Sequence, residues 1–295
     1  MNQVPLLPAT EICRFSSFFD KLPHKFGGWN SGMIYHNNQF LFSCRNETSR
    51  FREGYFGSKT PQEVRWQRSV PALIKLDING NFLEVKDSIT VPNESLEDVR
   101  LFKWNGEIYC TGSKRVGKGV DQFLAKLIDN IVYLLPFNHD YRLNQKNWNP
   151  IVHNNELYFE QSMTSPRTIL KYDVGGNLKT ISEKHFGFEL RGNSPPIPFN
   201  DKLLTFYHTY HGDHHFLKRV YVQYAALIEP EPPFDIIKLY GPFKFLPANY
   251  CRIQFHTGLD IIGDDIFFSY GIEDSDNIFA KISKKSFIQF LENFI

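Results

Sequence analysis

The chain has 295 residues, enough for one large domain with a sizeable core, and its formal net charge of +1 offers no strong field to nucleic acid or to an anionic membrane surface. Apolar residues make up 42% and aromatic residues 16%, with 28 Phe against three Met, a balance that favours sheet over helix bundle. Cys13, Cys44, Cys110 and Cys251 lie far apart with no CxxC pair, which sets aside zinc ribbons and thioredoxin-type sites. The N-terminus lacks a basic region followed by a long apolar one, and no run approaches 18 apolar residues. The chain therefore reads as soluble and cytoplasmic, without a membrane span and with free thiols.

The first 25 or so residues carry two Pro and read as an arm packed on the body of the domain. A hairpin signature then recurs along the chain: MIYHNNQFLFSC (33–44), LFKWNGEIYCTG (101–112), PIVHNNELYFEQS (150–162), PIPFNDKLLTFYH (196–208) and LDIIGDDIFFSYG (259–271). Each centre is an Asn/Gly/Asp pair, the composition of tight hairpin turns whose central residues take positive φ, and the flanks alternate so that each face receives a row of aromatics. A second motif comes after each copy: ALIKLDINGNFLEV (72–85), FLAKLIDNIVYLL (123–135), TILKYDVGGNLKTI (168–181), VQYAALIEPEPPFDIIKL (222–239) and IFAKISKKSFIQFL (278–291). Each reads as an apolar strand, a turn and a closing strand. Two hairpins per unit make four strands, and five units close a ring, so the expected fold is all-β, a single five-bladed β-propeller over 1–295. The end of the fifth copy has a second reading. Phe287, Phe290, Leu291 and Phe294 have helical spacing, which fits a short helix within 286–295.

In a ring, charged residues at matching points of successive units meet around one axis. Those points hold Arg45 in FSCRNE; Glu97, Asp98 and Arg100 in SLEDVR; Lys146 and Asn147 in QKNWNP; Arg191 and His208 flanking a Pro-rich segment; and Tyr270 and Asp274 in YGIEDS. Each taken singly is an ordinary surface ion pair or a structural histidine.

EDVR followed by FKWNGEIY resembles the EDPR-plus-strand motif of glycoside hydrolase family 130, the β-mannoside phosphorylases and related enzymes. RGNSPPIPFNDKLLTFYH, FSCRNE and FHTGLDIIGDDIFFSYGIED resemble further segments of that family, in order, over residues 28 to 283 or so. The family is a five-bladed propeller, in agreement with the repeat count. The resemblance implies that Asp98 is the proton donor, and that Arg45, Lys146 and His208 hold phosphate, with Arg191 a further candidate. It implies that Asp274 holds the glycone hydroxyls; Arg45, Arg100, Asn147, Arg191 and Tyr270 are further candidates for binding substrate. Two positions depart from the pattern: Val99 replaces a Pro, and Asn193 stands where Gly is usual. The expected substrate is an oligosaccharide or glycan with β-linked mannosyl residues. No cofactor is expected, and inorganic phosphate or a sugar phosphate would serve as a substrate.

An inverting phosphorylase needs one acid and a cluster of cations, whereas a hydrolase needs a second carboxylate to activate water. The cations Arg45, Lys146, Arg191 and His208 outnumber the one well-placed acid, which points to a phosphate-dependent phosphorylase or glycosyltransferase. The alternatives are a β-mannoside hydrolase with Glu160 as base, and a non-catalytic propeller that binds glycan or protein. Glu160 reads equally well as an outward strand residue. His208, His211 and His214 or His215 match no standard zinc spacing, so no metal is expected. GSKRVGKG (112–119) lacks phosphate-loop order and reads as a solvated loop.

Overall fold

The computed structural model describes residues 4–21, 29–47, 69–116, 119–138, 146–161, 166–187, 189–192, 194–211, 219–247, 251–273 and 275–294. The strands form five small antiparallel sheets in a ring, a five-bladed β-propeller. Blade 1 runs outward through Trp29–His36, Gln39–Glu47, Ser69–Leu76 and Phe82–Asp87. Blade 2 comprises Leu96–Trp104, Glu107–Val116, Gly119–Ile128 and Ile131–Leu134, with Ile89–Val91 added in parallel at its outer edge. Asn149–His153, Glu156–Glu160, Arg167–Tyr172 and Leu178–Lys184 make blade 3. In blade 4 the pieces Arg191–Gly192 and Ile197–Phe199 both pair with Lys202–His211, followed by Val220–Ile228 and Ile236–Phe243.

Blade 5 takes three strands from the end of the chain, Gln254–Ile262, Asp265–Ile272 and Asp276–Ser283. Its outermost strand is Thr10–Arg14, paired antiparallel with Asp276–Ser283. Part of the expected arm is therefore a blade strand that closes the ring. In place of the closing strand expected after 278–283, Lys284–Glu292 is an α-helix. Ser283 caps it by accepting a hydrogen bond from the Ser286 amide, and Phe287, Phe290 and Leu291 bury one face. Among the described residues no helix is long and apolar enough to cross a membrane.

The hairpin turns behave as their composition requires in three blades. Asn37 and Asn38, Asn105 and Gly106, and Asn154 and Asn155 all have positive φ. At the fourth and fifth turns only the first central residue, Asn200 or Gly263, is left-handed. Alternation then distributes the aromatics. Phe40 and Phe42 pack with Phe267 and Phe279 of blade 5, while Ile34 and Leu41 pack with Leu101 and Phe123 of blade 2. Phe206 joins the seam between blades 4 and 5, whereas Tyr207, the next residue, joins that between blades 3 and 4. With the Phe102–Trp148–Phe159 group between blades 2 and 3, each neighbouring pair of blades has its own core. The C-terminal helix covers the seam between blades 4 and 5.

Candidate active site

Blades 1, 2 and 3 carry a second class of left-handed residue, at the heads of the inner strands rather than in turns. Asn30, Asp98 and Asn147 have φ of 51°, 52° and 64°. Asn and Asp tolerate this region best among residues with a side chain, and its use outside a turn marks a backbone held in place by its surroundings. Register shifts in the pairing accompany the first two, between Trp29 and Gly32 and between Glu97 and Arg100. Close packing holds the shifted segment. A Cβ on Gly32 would lie 2.2 Å from the Val99 carbonyl oxygen, one on Gly112 would lie 2.7 Å from that of Glu97, and one on Gly271 would lie 2.2 Å from Asn30 Oδ1. Ser43 Oγ also donates to the Val99 carbonyl at 2.7 Å.

The irregular backbone turns Asp98 toward partners from other blades. Asn30 Nδ2 donates to Asp98 Oδ1 at 3.0 Å, and Arg45 Nη1 lies 3.7 Å from the same oxygen. Arg100, fully buried, donates to the Asp98 carbonyl, to Asn147 Oδ1 and to the Gly192 carbonyl at 2.9, 3.2 and 3.3 Å. Burial lowers its pKa to about 10, which leaves it charged near neutrality. Asp98, Arg45, Arg100, Asn147 and, through its carbonyl, Gly192 thus form one connected group across four blades.

Glu97 is the hub, a role that its place in the sequence does not reveal. It ion-pairs with Arg45 at 3.3 Å, Arg115 at 3.0 Å and Lys146 at 3.2 Å. Burial alone would raise its carboxyl, but Arg45, Lys146 and Arg115 outweigh that and bring it down to about 2. Arg115 belongs to the segment expected to be a solvated loop. That segment is in fact a hairpin of Glu107–Val116 and Gly119–Ile128, with 117–118 outside the described residues. Counting back from the turn at Asn105 and Gly106 would pair Glu97 with Lys114; the register shift between Glu97 and Arg100 pairs it with Ser113 instead and so brings Arg115 onto its face, which the sequence does not show. Among the described residues four cations (Arg45, Arg100, Arg115, Lys146) here meet two carboxylates. Arg115 and Lys146 are 39% and 40% exposed, so the cluster opens toward solvent.

The other expected residues have varied surroundings. His208 is buried, stacked on Tyr221 and edge-on to Phe255. Burial first, then the charges of Arg191, Arg100 and His256, hold its pKa well below the ordinary value, so it is a neutral imidazole and adds no cation. His256, on the inner strand of blade 5, is brought to about 3 by burial and by Arg100. Arg191 pairs with Glu189 and lies over the Tyr210 ring. Tyr270 packs in the core between blades 4 and 5, stacked on Phe245 at 4.5 Å. Asp274, Asn193, His214 and His215 lie outside the described residues. Glu160 is not an outward strand residue. It is 1% exposed; Oε1 accepts from Arg167 Nε and from Tyr207 at 2.7 Å, and Oε2 accepts from Asn149 at 3.2 Å. With both oxygens so engaged, it is poorly disposed to activate water.

One cavity of about 240 Å³ lies between blades 1 and 2, bordered by His36, Gln39, Lys75, Glu84, Lys86 and Asp129. It sits at the turn end of the first inner strand, away from Asn30, and its Lys75–Glu84 and Lys86–Glu84 pairs neutralise each other locally.

No family model matches the sequence, and no curated protein is significantly similar to it. Solved structures are similar in fold. A β-1,2-mannobiose phosphorylase from Listeria innocua, in complex with β-1,2-mannobiose, superposes with a TM-score of 0.69 at 15% identity, covering 99% of each chain. The fold is that of the mannoside phosphorylases. A structure described under family 130 of mannoside phosphorylases, with hydrolases that target β-1,2-mannosidic linkages in Candida mannan, gives 0.64 at 13% identity, over 89% of this chain and 86% of that one. A glycosyl hydrolase from Bacteroides ovatus gives 0.65 at 13%, over 96% and 92%.

Proposed function

We propose that the protein is an enzyme acting on β-mannosides, with Asp98 delivering the proton to the departing glycosidic oxygen. The observation that carries this reading is the head of the second inner strand. A carboxylate on left-handed backbone, held on one oxygen by Asn30 and Arg45, stands beside Arg100 and the Glu97 cluster of Arg115 and Lys146. Both donors act on Oδ1, so a proton on Asp98 resides on Oδ2, the oxygen left for substrate. Departure of the aglycone moves that proton to its oxygen as the C1–O bond breaks, and an acceptor forms the new bond at C1 from the opposite face.

For the acceptor we infer phosphate or a phosphorylated sugar, held by Arg45, Arg115 and Lys146, with neutral His208 able to contribute a hydrogen bond but no charge. Phosphorolysis then gives mannose 1-phosphate and the free aglycone. One observation favours hydrolysis instead: Glu97 already pairs with those three cations, so they are not stranded without an anion. The four free cysteines accord with a reducing, cytoplasmic setting. A panel of β-mannosides assayed with phosphate, with phosphate removed enzymatically, and with sugar phosphates decides between the two. Phosphate-dependent turnover supports phosphorolysis; undiminished release of free mannose assigns hydrolysis; no turnover of any mannoside refutes the enzyme reading.

A further inference from the structure

The cavity between blades 1 and 2 lies at the far end of their strands from Asn30, Arg45 and Asp98, and has no part in the reading above. Every residue that lines it is among those described. Strand pairing sets Leu41, Lys75 and Glu84 in one row across blade 1, with Leu73 and Lys86 in the next row on the same face. Ile108 and Leu127 line it from blade 2. These four aliphatic side chains belong to the core between the two blades. Yet Leu41, Leu73 and Leu127 keep 7%, 5% and 6% of their surface open, against 0% and 1% for Leu96 and Leu101 elsewhere in that core. The blades part here and leave about 240 Å³ with an aliphatic floor. That is the liquid volume of about eight waters. No aromatic ring lines the space to stack on a sugar.

The mouth is charged. Glu84 pairs with Lys75 at 2.7 Å and with Lys86 at 2.9 Å. Each ammonium spends one of its N–H groups there and keeps the others for a further acceptor. The charge of Asp129 reaches Lys86 from the blade-2 side, but Asp129 itself makes no hydrogen bond or ion pair, and neither does the Gln39 amide. Two ammoniums and two carboxylates thus share the opening. A simple anion gains from the lysines and loses to Glu84 and Asp129; for a simple cation the signs reverse. A molecule that carries both charges gains from both, if its anion points to the lysines and its cation to Asp129. An apolar body laid on the floor adds about 25 cal/mol for each Å² it buries.

We propose that this cavity binds a small zwitterion with a branched aliphatic body, an α-amino acid of the leucine type. Its carboxylate meets Lys75 and Lys86, its ammonium meets Asp129 and Gln39 Oε1, and its side chain lies among Leu41, Leu73, Ile108 and Leu127. The ligand bridges blades 1 and 2 at the end opposite the Asp98 cluster. The site does not depend on the β-mannoside reading.

The test is calorimetric titration of the full-length protein with L-leucine and three analogues. N-acetyl-leucine lacks the cation, leucinamide lacks the anion, and glycine lacks the aliphatic body. Leucine should bind more tightly than each of them by about tenfold or more, the worth of one charge-assisted contact or of the buried side chain. It should also raise the melting temperature, as a ligand of the folded chain does. Asp129→Asn retains a residue that tolerates the φ of 54° at this position. It should weaken leucine by about tenfold and leave N-acetyl-leucine unchanged. Lys86→Gln should weaken leucine and N-acetyl-leucine alike, but not leucinamide. Equal affinity for leucine and any of the three analogues, no measurable binding of leucine, or leucine binding untouched by both substitutions overturns the inference. The β-mannoside reading is judged separately, by turnover.

Discussion

Two buried carboxylate clusters in this propeller use the same residue types to opposite ends. Around Glu160 one carboxylate meets one guanidinium, Tyr207 and Asn149 complete its oxygens, and it sits on regularly paired Glu156–Glu160. Around Asp98 two adjacent carboxylates meet Arg45, Arg100, Arg115 and Lys146, the backbone is left-handed, and glycines from the same and neighbouring blades press against the irregular segment. The first arrangement resembles a structural ion pair, in which both oxygens of the carboxylate are taken. The second holds strain, which persists where surrounding structure enforces it. A buried carboxylate is thus weak evidence of chemistry; irregular backbone around it is stronger evidence.

Breaking each cluster should therefore give different phenotypes. Asp98→Asn keeps size and the tolerance of positive φ but removes the proton donor. Turnover of β-mannosides should fall by about 10²–10⁴-fold with little change in thermal stability, since general acid catalysis is typically worth that much. A variant that keeps more than about a tenth of wild-type activity shows that Asp98 is not the acid. Arg167→Met does the reverse. It leaves Glu160 buried and unpaired, and should cost about 3–5 kcal/mol of unfolding free energy in denaturant melts. Its activity per folded molecule should stay far above that of Asp98→Asn.

The Asp98 cluster should also show itself in acid. Glu97 titrates at about 2 in the folded chain, below an unfolded glutamate. A depressed carboxylate pKa stabilises fully above the unfolded value, and that contribution disappears as pH falls through the folded one. The ion pairs of Glu97 should thus contribute about 3 kcal/mol above pH 4.5 or so, and lose it between there and roughly pH 2. Comparing unfolding free energies of wild type and Glu97→Gln across this window checks it: the variant's curve should be flatter by that amount. Parallel curves would show that the three cations are held by something other than Glu97.

The frame of the propeller and the Asp98 cluster are unequally legible in the sequence. Hairpin turns are local, so pairs such as Asn37–Asn38 and Asn154–Asn155 announce themselves, and the five cores between blades come from alternation. Ring closure is hidden. Thr10–Arg14 pairs with Asp276–Ser283 across most of the chain, and a single edge strand carries no repeat of its own. Asp98 is found through its motif, but Glu97 is not, because its role depends on Arg45, Arg115 and Lys146 arriving from separate strands and loops. His208 counts as a cation in the sequence because a sequence does not show burial. In the fold, burial and nearby arginines keep it neutral.

The smallest expected effect isolates the alignment of Asp98 from its charge. Asn30 donates to Asp98 Oδ1 at 3.0 Å from a left-handed position, φ 51°. Most substitutions there would confound lost hydrogen bonding with backbone strain. Asn30→Gly avoids this, since glycine adopts positive φ without penalty. With only Arg45 left near Oδ1, the carboxylate gains freedom, and its charged form loses one of two stabilising partners. Turnover should fall by about fivefold, in line with ~1 kcal/mol for one hydrogen bond. The melting curve should change little. A raised KM with an unchanged kcat would mean that Asn30 contacts substrate instead of positioning the acid. An unchanged rate would mean that Arg45 alone suffices to hold Asp98.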